Sequence, residues 1–103
     1  MTTHISITIA DGVATMYLGG RFDFNTQKEF RTAYTPLLLD ATVRSIRIDF
    51  SKVDYLDSSA LGMLMLMRER AQEAGKSAEL CKPNETVRKI LVIANFGKLF
   101  KMD

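Results

Sequence analysis

From the amino terminus, Ile5, Ile7 and Ile9 alternate with Ser6 and Thr8, the period-two pattern of a strand with one covered face. Asp11-Gly12 follows, and because both residue types accept positive φ, this pair between two apolar runs predicts a tight hairpin. Val13 to Leu18 is apolar on both faces except at Thr15, which places the second strand inside a sheet. Gly19-Gly20 read as its stop and lead into a turn, Arg21-Phe22-Asp23-Phe24-Asn25, that either exposes Asp23 or uses it as a local cap. Thr26 and Glu29 have capping-box spacing. In the helix that follows, Phe30, Ala33, Tyr34, Leu37 and Leu38 cover one side. Pro36 within it removes a hydrogen bond and crowds the preceding turn, so a kink or a tightened last turn is expected.

A third strand, Ser45 to Phe50, points Ile46, Ile48 and Phe50 one way and Arg47 and Asp49 the other, and ends near Ser51. After a short loop, a central helix opens at Asp57-Ser58-Ser59. One of these three residues is its N-cap, since their side-chain oxygens accept from backbone N–H groups that have no partner within the helix. At least one hydroxyl is then left at the positive end of the helix dipole, where a phosphate is well tolerated. The helix should end near Gly75. Ala60, Leu64, Met67, Ala71 and Ala74 form its inner stripe, widened by Leu61 and Met65. Met63 and Leu66 are left over: either a neighbouring loop covers them, or they form an exposed apolar patch suited to a partner. A short strand Ser77 to Cys81 comes next. A helix capped by Asn84 follows, with Val87, Ile90, Leu91 and Ala94 inward and a stop at Asn95 and Gly97; the last strand is Leu99 to Lys101. The order ββαβαβαβ predicts an α/β fold of α+β-like character: a mixed sheet with an N-terminal hairpin, right-handed crossovers and helices mainly on one face.

Composition narrows the function classes. The 103 residues are 47% hydrophobic and 25% charged with a net charge of +2, ordinary for one globular domain spanning residues 1–103. So small an imbalance argues against nucleic acid or a membrane surface as partner. With no apolar run long enough to span a bilayer and no leader pattern, a cytoplasmic location is expected. The lone Cys81 fits a reducing compartment and reads as a small buried side chain; with the distant His4, itself read as an edge or surface residue, it makes no metal site.

Three catalytic readings fail on the same residues. A serine hydrolase needs a base oriented by an acid and a glycine-flanked nucleophile, but the sole histidine is His4 and no such glycines surround Ser58 or Ser59. A phosphoaspartate receiver with its acceptor at Asp57 lacks the acids expected after the first strand, where Asp11-Gly12 forms the hairpin. A nucleotide-binding enzyme needs a glycine-rich phosphate loop opening a helix, and Gly19-Gly20 alone is too weak a signal for one. The protein is expected not to be an enzyme and to need no cofactor.

At Leu56-Asp57-Ser58-Ser59-Ala60-Leu61-Gly62 the chain resembles the STAS domain family, specifically the bacterial anti-sigma-factor antagonists. The resemblance spans nearly the whole chain: the opening hairpin, a Gly-x-x-Asp turn at Gly20-Arg21-Phe22-Asp23, the Asp-Ser-Ser segment, and a Val-x-x-x-Leu helix at Val87 to Leu91. It implies that Ser58 is a phosphate acceptor. The kinase would be the partner anti-sigma factor, which brings its own ATP, and a PP2C-like phosphatase would remove the phosphate. Unphosphorylated, such a protein holds the anti-sigma factor; phosphorylated, it lets go. The partner surface so implied comprises Asp23, Asp57, Ser58, Ser59, Ala60, Leu61 and Gly62, with Met63 and Leu66 beyond. Two departures stand out. Many relatives carry Glu-Leu where this chain has Arg21-Phe22. Many also continue into a final helix over the sheet, so here that surface either serves weak self-association or is more polar. The rival reading is a STAS-like regulatory subunit of a transporter, such as a lipid-transport ATPase complex.

Overall fold

The computed structural model describes residues 4–102. Its elements are β1 (His4–Ala10), β2 (Val13–Phe22), α1 (Gln27–Leu39), β3 (Ser45–Leu56), α2 (Ser58–Glu73), β4 (Ser77–Cys81), α3 (Glu85–Ile93) and β5 (Lys101–Met102), with single 3-10 turns at Phe24–Thr26 and Phe96–Lys98. The order is the one the sequence pattern predicts. The five strands lie side by side in chain order, β1 antiparallel to β2 and the remaining pairs parallel. Because every crossover steps in the same direction across the sheet, right-handed connections set all three helices on one face. That face presents Ala14, Met16 and Leu18 of β2 and Ile46, Ile48 and Phe50 of β3, which join Phe30, Tyr34, Leu64, Met67, Val87 and Leu91 from the helices in one buried cluster.

Local signals act as expected at several points. Asp11 (φ 52°) and Gly12 (φ 80°) turn the hairpin. Gly12 is doubly constrained, because a Cβ there would stand 2.8 Å from the Arg44 guanidinium that donates to the Asp11 carbonyl. Pro36 leaves α1 continuous but tightens its end, where Asp40 N–H reaches back to Leu37 O at 3.4 Å. Asn84 caps α3 by accepting from Val87 N–H at 2.8 Å. Cys81 is buried and His4 exposed.

Five expectations are corrected. Gly19-Gly20 do not stop β2: Gly20 at φ 86° lets the strand bend and continue to Phe22. β3 likewise runs on through the expected loop to Leu56. Between the pairs Tyr17↔Asp49 and Gly19↔Lys52, and again between Gly20↔Val53 and Arg21↔Tyr55, β3 carries an extra residue. These bulges shift the side-chain phase, so Phe50, Val53 and Leu56 all point inward at a spacing of three. The capping box is Asp23 with Thr26, not Thr26 with Glu29, because a 3-10 turn precedes α1 and makes Thr26 its third residue. The β1 side chains Ile7 and Ile9 are 36% and 49% exposed, as β1 is an edge that α1 only partly covers. The last strand is displaced to Lys101–Met102 by the Phe96–Lys98 turn, in which Phe96 and Phe100 stack at 5.4 Å. On the helix-free face the row Thr15, Arg47, Glu79 and Lys101 crosses β2 to β5, with Arg47 and Glu79 paired at 4.0 Å. That row is polar, whereas Tyr17 on the same face is 39% exposed.

Candidate functional site

Since β2 and β3 are parallel, the turns that leave their carboxyl ends emerge at the same edge of the sheet. They are bonded to each other. Asp57 N–H donates to Phe22 O at 3.4 Å, and the Asp57 carboxylate accepts from Phe24 N–H at 3.3 Å with one oxygen and from Ala60 N–H at 2.9 Å with the other. Asp57 is thus the N-cap of α2 and, at the same time, the clamp on the β2–α1 turn. Asp23 caps its own turn, accepting from Asn25 N–H at 3.0 Å and from the Thr26 hydroxyl at 3.3 Å. The Arg21 guanidinium lies 3.5 Å from the Asp23 carboxylate and 4.1 Å over the Tyr55 ring. The Arg-Phe departure therefore places a stacked cation beside Asp23.

Ser58, the first residue of α2, is exposed, and Ser59 is half-buried beside it. Their N–H groups lie ahead of the helix's own hydrogen-bond ladder, so the end of this 16-residue helix offers positive potential next to the Ser58 hydroxyl. Asp57 immediately precedes Ser58, and Asp23 lies in the turn bonded to it at the same end of the sheet. Among the described residues no cluster of His, Cys, Asp and Glu has a metal-holding arrangement.

Not every residue expected at the partner surface is exposed. Ala60 is fully buried and Leu61 half-buried, because positions facing the sheet must fill the core. Met63 is only 8% exposed, held under α1 and not under a loop; Leu66 remains open at 37%, and Met65, assigned to the inner stripe, is exposed instead. Ala74 is exposed as well. A groove of about 270 Å³ runs between α1 and α2, floored by Phe30 and Met63 and walled by Phe24, Arg31, Tyr34 and Leu66, with Ser59 and Gly62 at its Ser58 end. Phe24, 65% exposed in a turn, had a sequence signal: an aromatic between Asp23 and Asn25 with no place in a helical stripe. Arg31 and Tyr34 had none, since their role depends on α1 packing against α2. Burial holds the Tyr34 phenol above its ordinary pKa of 10.0, against the opposing charges of Arg70 and Arg31.

The sequence profile of the family described as "Mlab, STAS domain" matches residues 5–101. The chain belongs to the STAS domain family. It is 44% identical over 94 residues to a STAS-domain containing protein of Pseudomonas aeruginosa (strain UCBPP-PA14), covering 90% of this chain and 91% of that one. Its fold is that of the anti-sigma factor antagonist SpoIIAA in the unphosphorylated form (TM-score 0.81, 18% identity, 97% of this chain and 88% of that chain). An anti-sigma factor antagonist from Mycobacterium paratuberculosis shares it as well (TM-score 0.79, 23% identity, 97% and 84%). So does the Bacillus cell fate determinant SpoIIAA in the phosphorylated form (TM-score 0.74, 17% identity, 97% and 91%). Among the described residues of this STAS domain no helix is long and apolar enough to cross a membrane.

Proposed function

We propose that this STAS domain is an anti-sigma-factor antagonist, a cytoplasmic binding switch without catalytic activity of its own. The observation that carries the reading is the setting of Ser58: exposed at the start of α2, whose first N–H groups have no acceptor within the helix, with Asp57 and Asp23 brought to the same end of the sheet. A hydroxyl so placed accepts a phosphoryl group without disturbing the core. The group comes from outside: the partner anti-sigma factor acts as serine kinase and brings ATP, and a PP2C-like phosphatase reverses the step. The family description, Mlab, names no sigma-factor system. Ser58 and the fold shared with SpoIIAA, whose phosphorylated form has been solved, support this role.

Unphosphorylated, the surface of Asp23, Asp57 to Ser59, Gly62 and Leu66 with the adjoining groove docks on the partner. Phosphorylation places roughly −1.5 to −2 charges there. The helix terminus offsets that charge in the free protein by about 0.3–1 kcal/mol. In a closed interface beside Asp57 it loses water and meets repulsion, at a cost of several kcal/mol. The test is incubation with ATP and the serine kinase recovered alongside the protein from its native organism, followed by mapping of the modified residue by mass spectrometry. One phosphate on Ser58, absent from Ser58→Ala, is the expected result. Modification of Ser59 with Ser58 untouched would overturn the assignment. The rival, a fixed transporter subunit, differs in a measurable way: its partner would bind Ser58→Asp as tightly as wild type.

A further inference from the structure

Another surface lies outside the Ser58 groove. The sheet has two edges. β5 is two residues long and carries Lys101, a protected edge. β1 is different. It runs seven residues, pairs with β2 without a bulge from His4↔Gly19 to Ala10↔Val13, and contains no Lys, Arg, Asp, Glu or Pro. Soluble proteins usually blunt an edge with charge, proline, bulges or shortness, and β1 uses none of these along its length. Its outward N–H and C=O groups form an open template, and Ile7 and Ile9 stand exposed above it on the helix side.

The strand also reads alike in both directions. Outward from Ile7 come Ser6 and Thr8, then Ile5 and Ile9, then His4 and Ala10. A second β1 laid antiparallel with Ile7 on the two-fold axis therefore sets Ile7 against Ile7, Ile5 against Ile9 and Ser6 against Thr8. Isoleucines meet isoleucines on one face and hydroxyls meet hydroxyls on the other; a slip of one residue would set Ile7 against Ser6 and lose both matches. Beside the strand, Ile5 and Ile7 share a groove with Lys28, Glu29, Thr32 and Ala33 of α1. Lys28 and Glu29 give that wall one charge of each sign, so it presents no net charge to a symmetric copy.

We propose that β1 is a self-association edge, on which a second copy of this chain docks its own β1 antiparallel about Ile7, joining the two five-stranded sheets into one. No β1 residue lines the Ser58 groove, so the pairing leaves that groove open. Sedimentation equilibrium of the full chain over a wide concentration range should show a reversible monomer–dimer equilibrium. Ile7→Lys places like charges on the axis and should raise the dimer dissociation constant roughly tenfold or more, with little change in the melt of the dilute monomer. Ile7→Cys should give a disulfide dimer on mild oxidation, whereas Ser6→Cys, opposite Thr8, should not; buried Cys81 stays silent in both. A monomer at every concentration, as expected if a strand of another protein is the true occupant, would overturn the proposal. So would a dimer that Ile7→Lys leaves intact and Ile7→Cys does not cross-link.

Discussion

One carboxylate, that of Asp57, serves two turns, and its two oxygens can be tested separately. Asp57→Ala loses both the α2 cap and the bond to Phe24 N–H, and a stability loss of about 1–2 kcal/mol is expected in chemical denaturation. Asp57→Asn keeps one acceptor for Ala60 N–H while its amide nitrogen cannot accept from Phe24, so it should cost clearly less; equal losses would show that the inter-turn bond dominates. Asp23 is a similar case. A freely exposed carboxylate would tolerate charge reversal, but this one closes a capping box, and Asp23→Lys is expected to cost about 1 kcal/mol before any partner is added. Tyr34 has a pH signature. Its folded pKa is raised by burial, so the stability it contributes is intact below the unfolded value of about 10 and falls as pH rises through the folded one. Wild type should therefore lose stability above about pH 10 more steeply than Tyr34→Phe in thermal melts at matched pH. Parallel alkaline limbs would remove the argument.

At the scale of elements, α2 combines helix and proposed binding surface, and Gly62 separates the two roles. A Cβ at Gly62 meets nothing within 4 Å, and the position is exposed in mid-helix. Gly62→Ala should thus stabilise the protein by about 0.5–1 kcal/mol while placing a methyl group in the mouth of the groove that the partner is proposed to use. A raised melt with weakened binding is expected; a raised melt with unchanged binding would move the interface off this helix face. The elements legible in the sequence are those specified locally. Asp11-Gly12 needs no tertiary context to turn, Asn84 caps its own helix, and the strand Ser77–Cys81 has the boundaries expected of it. The failures are of the opposite kind. The extension of β3 to Leu56 depends on bulges against β2 and on Asn84 donating to Val53 O at 2.9 Å, neither visible in a period-two pattern. Which methionine of α2 is buried depends on where α1 lies, so Met63 and Met65 exchanged places. The site divides in the same way: Asp23, Asp57 and Ser58 were legible as a motif, whereas Phe30, Arg31 and Tyr34 entered it only through helix packing.

For the whole molecule, the parallel pairing of β2 and β3 matters most, because it gathers two turns separated in sequence by α1 at one end of the sheet. The core lies behind them, and the groove opens beside them. On the proposed reading, phosphorylation of Ser58 changes what the surface can meet and not how the chain folds, so the melt of the phosphorylated protein should match that of the unmodified one or lie slightly above it. The most direct measurement is a calorimetric titration of the partner kinase with phosphorylated and unmodified protein at one ionic strength. A loss of about 3 kcal/mol, roughly a hundredfold in affinity, is expected on phosphorylation, with Ser58→Ala remaining at the unmodified value. Equal affinity of the two forms would contradict the switch.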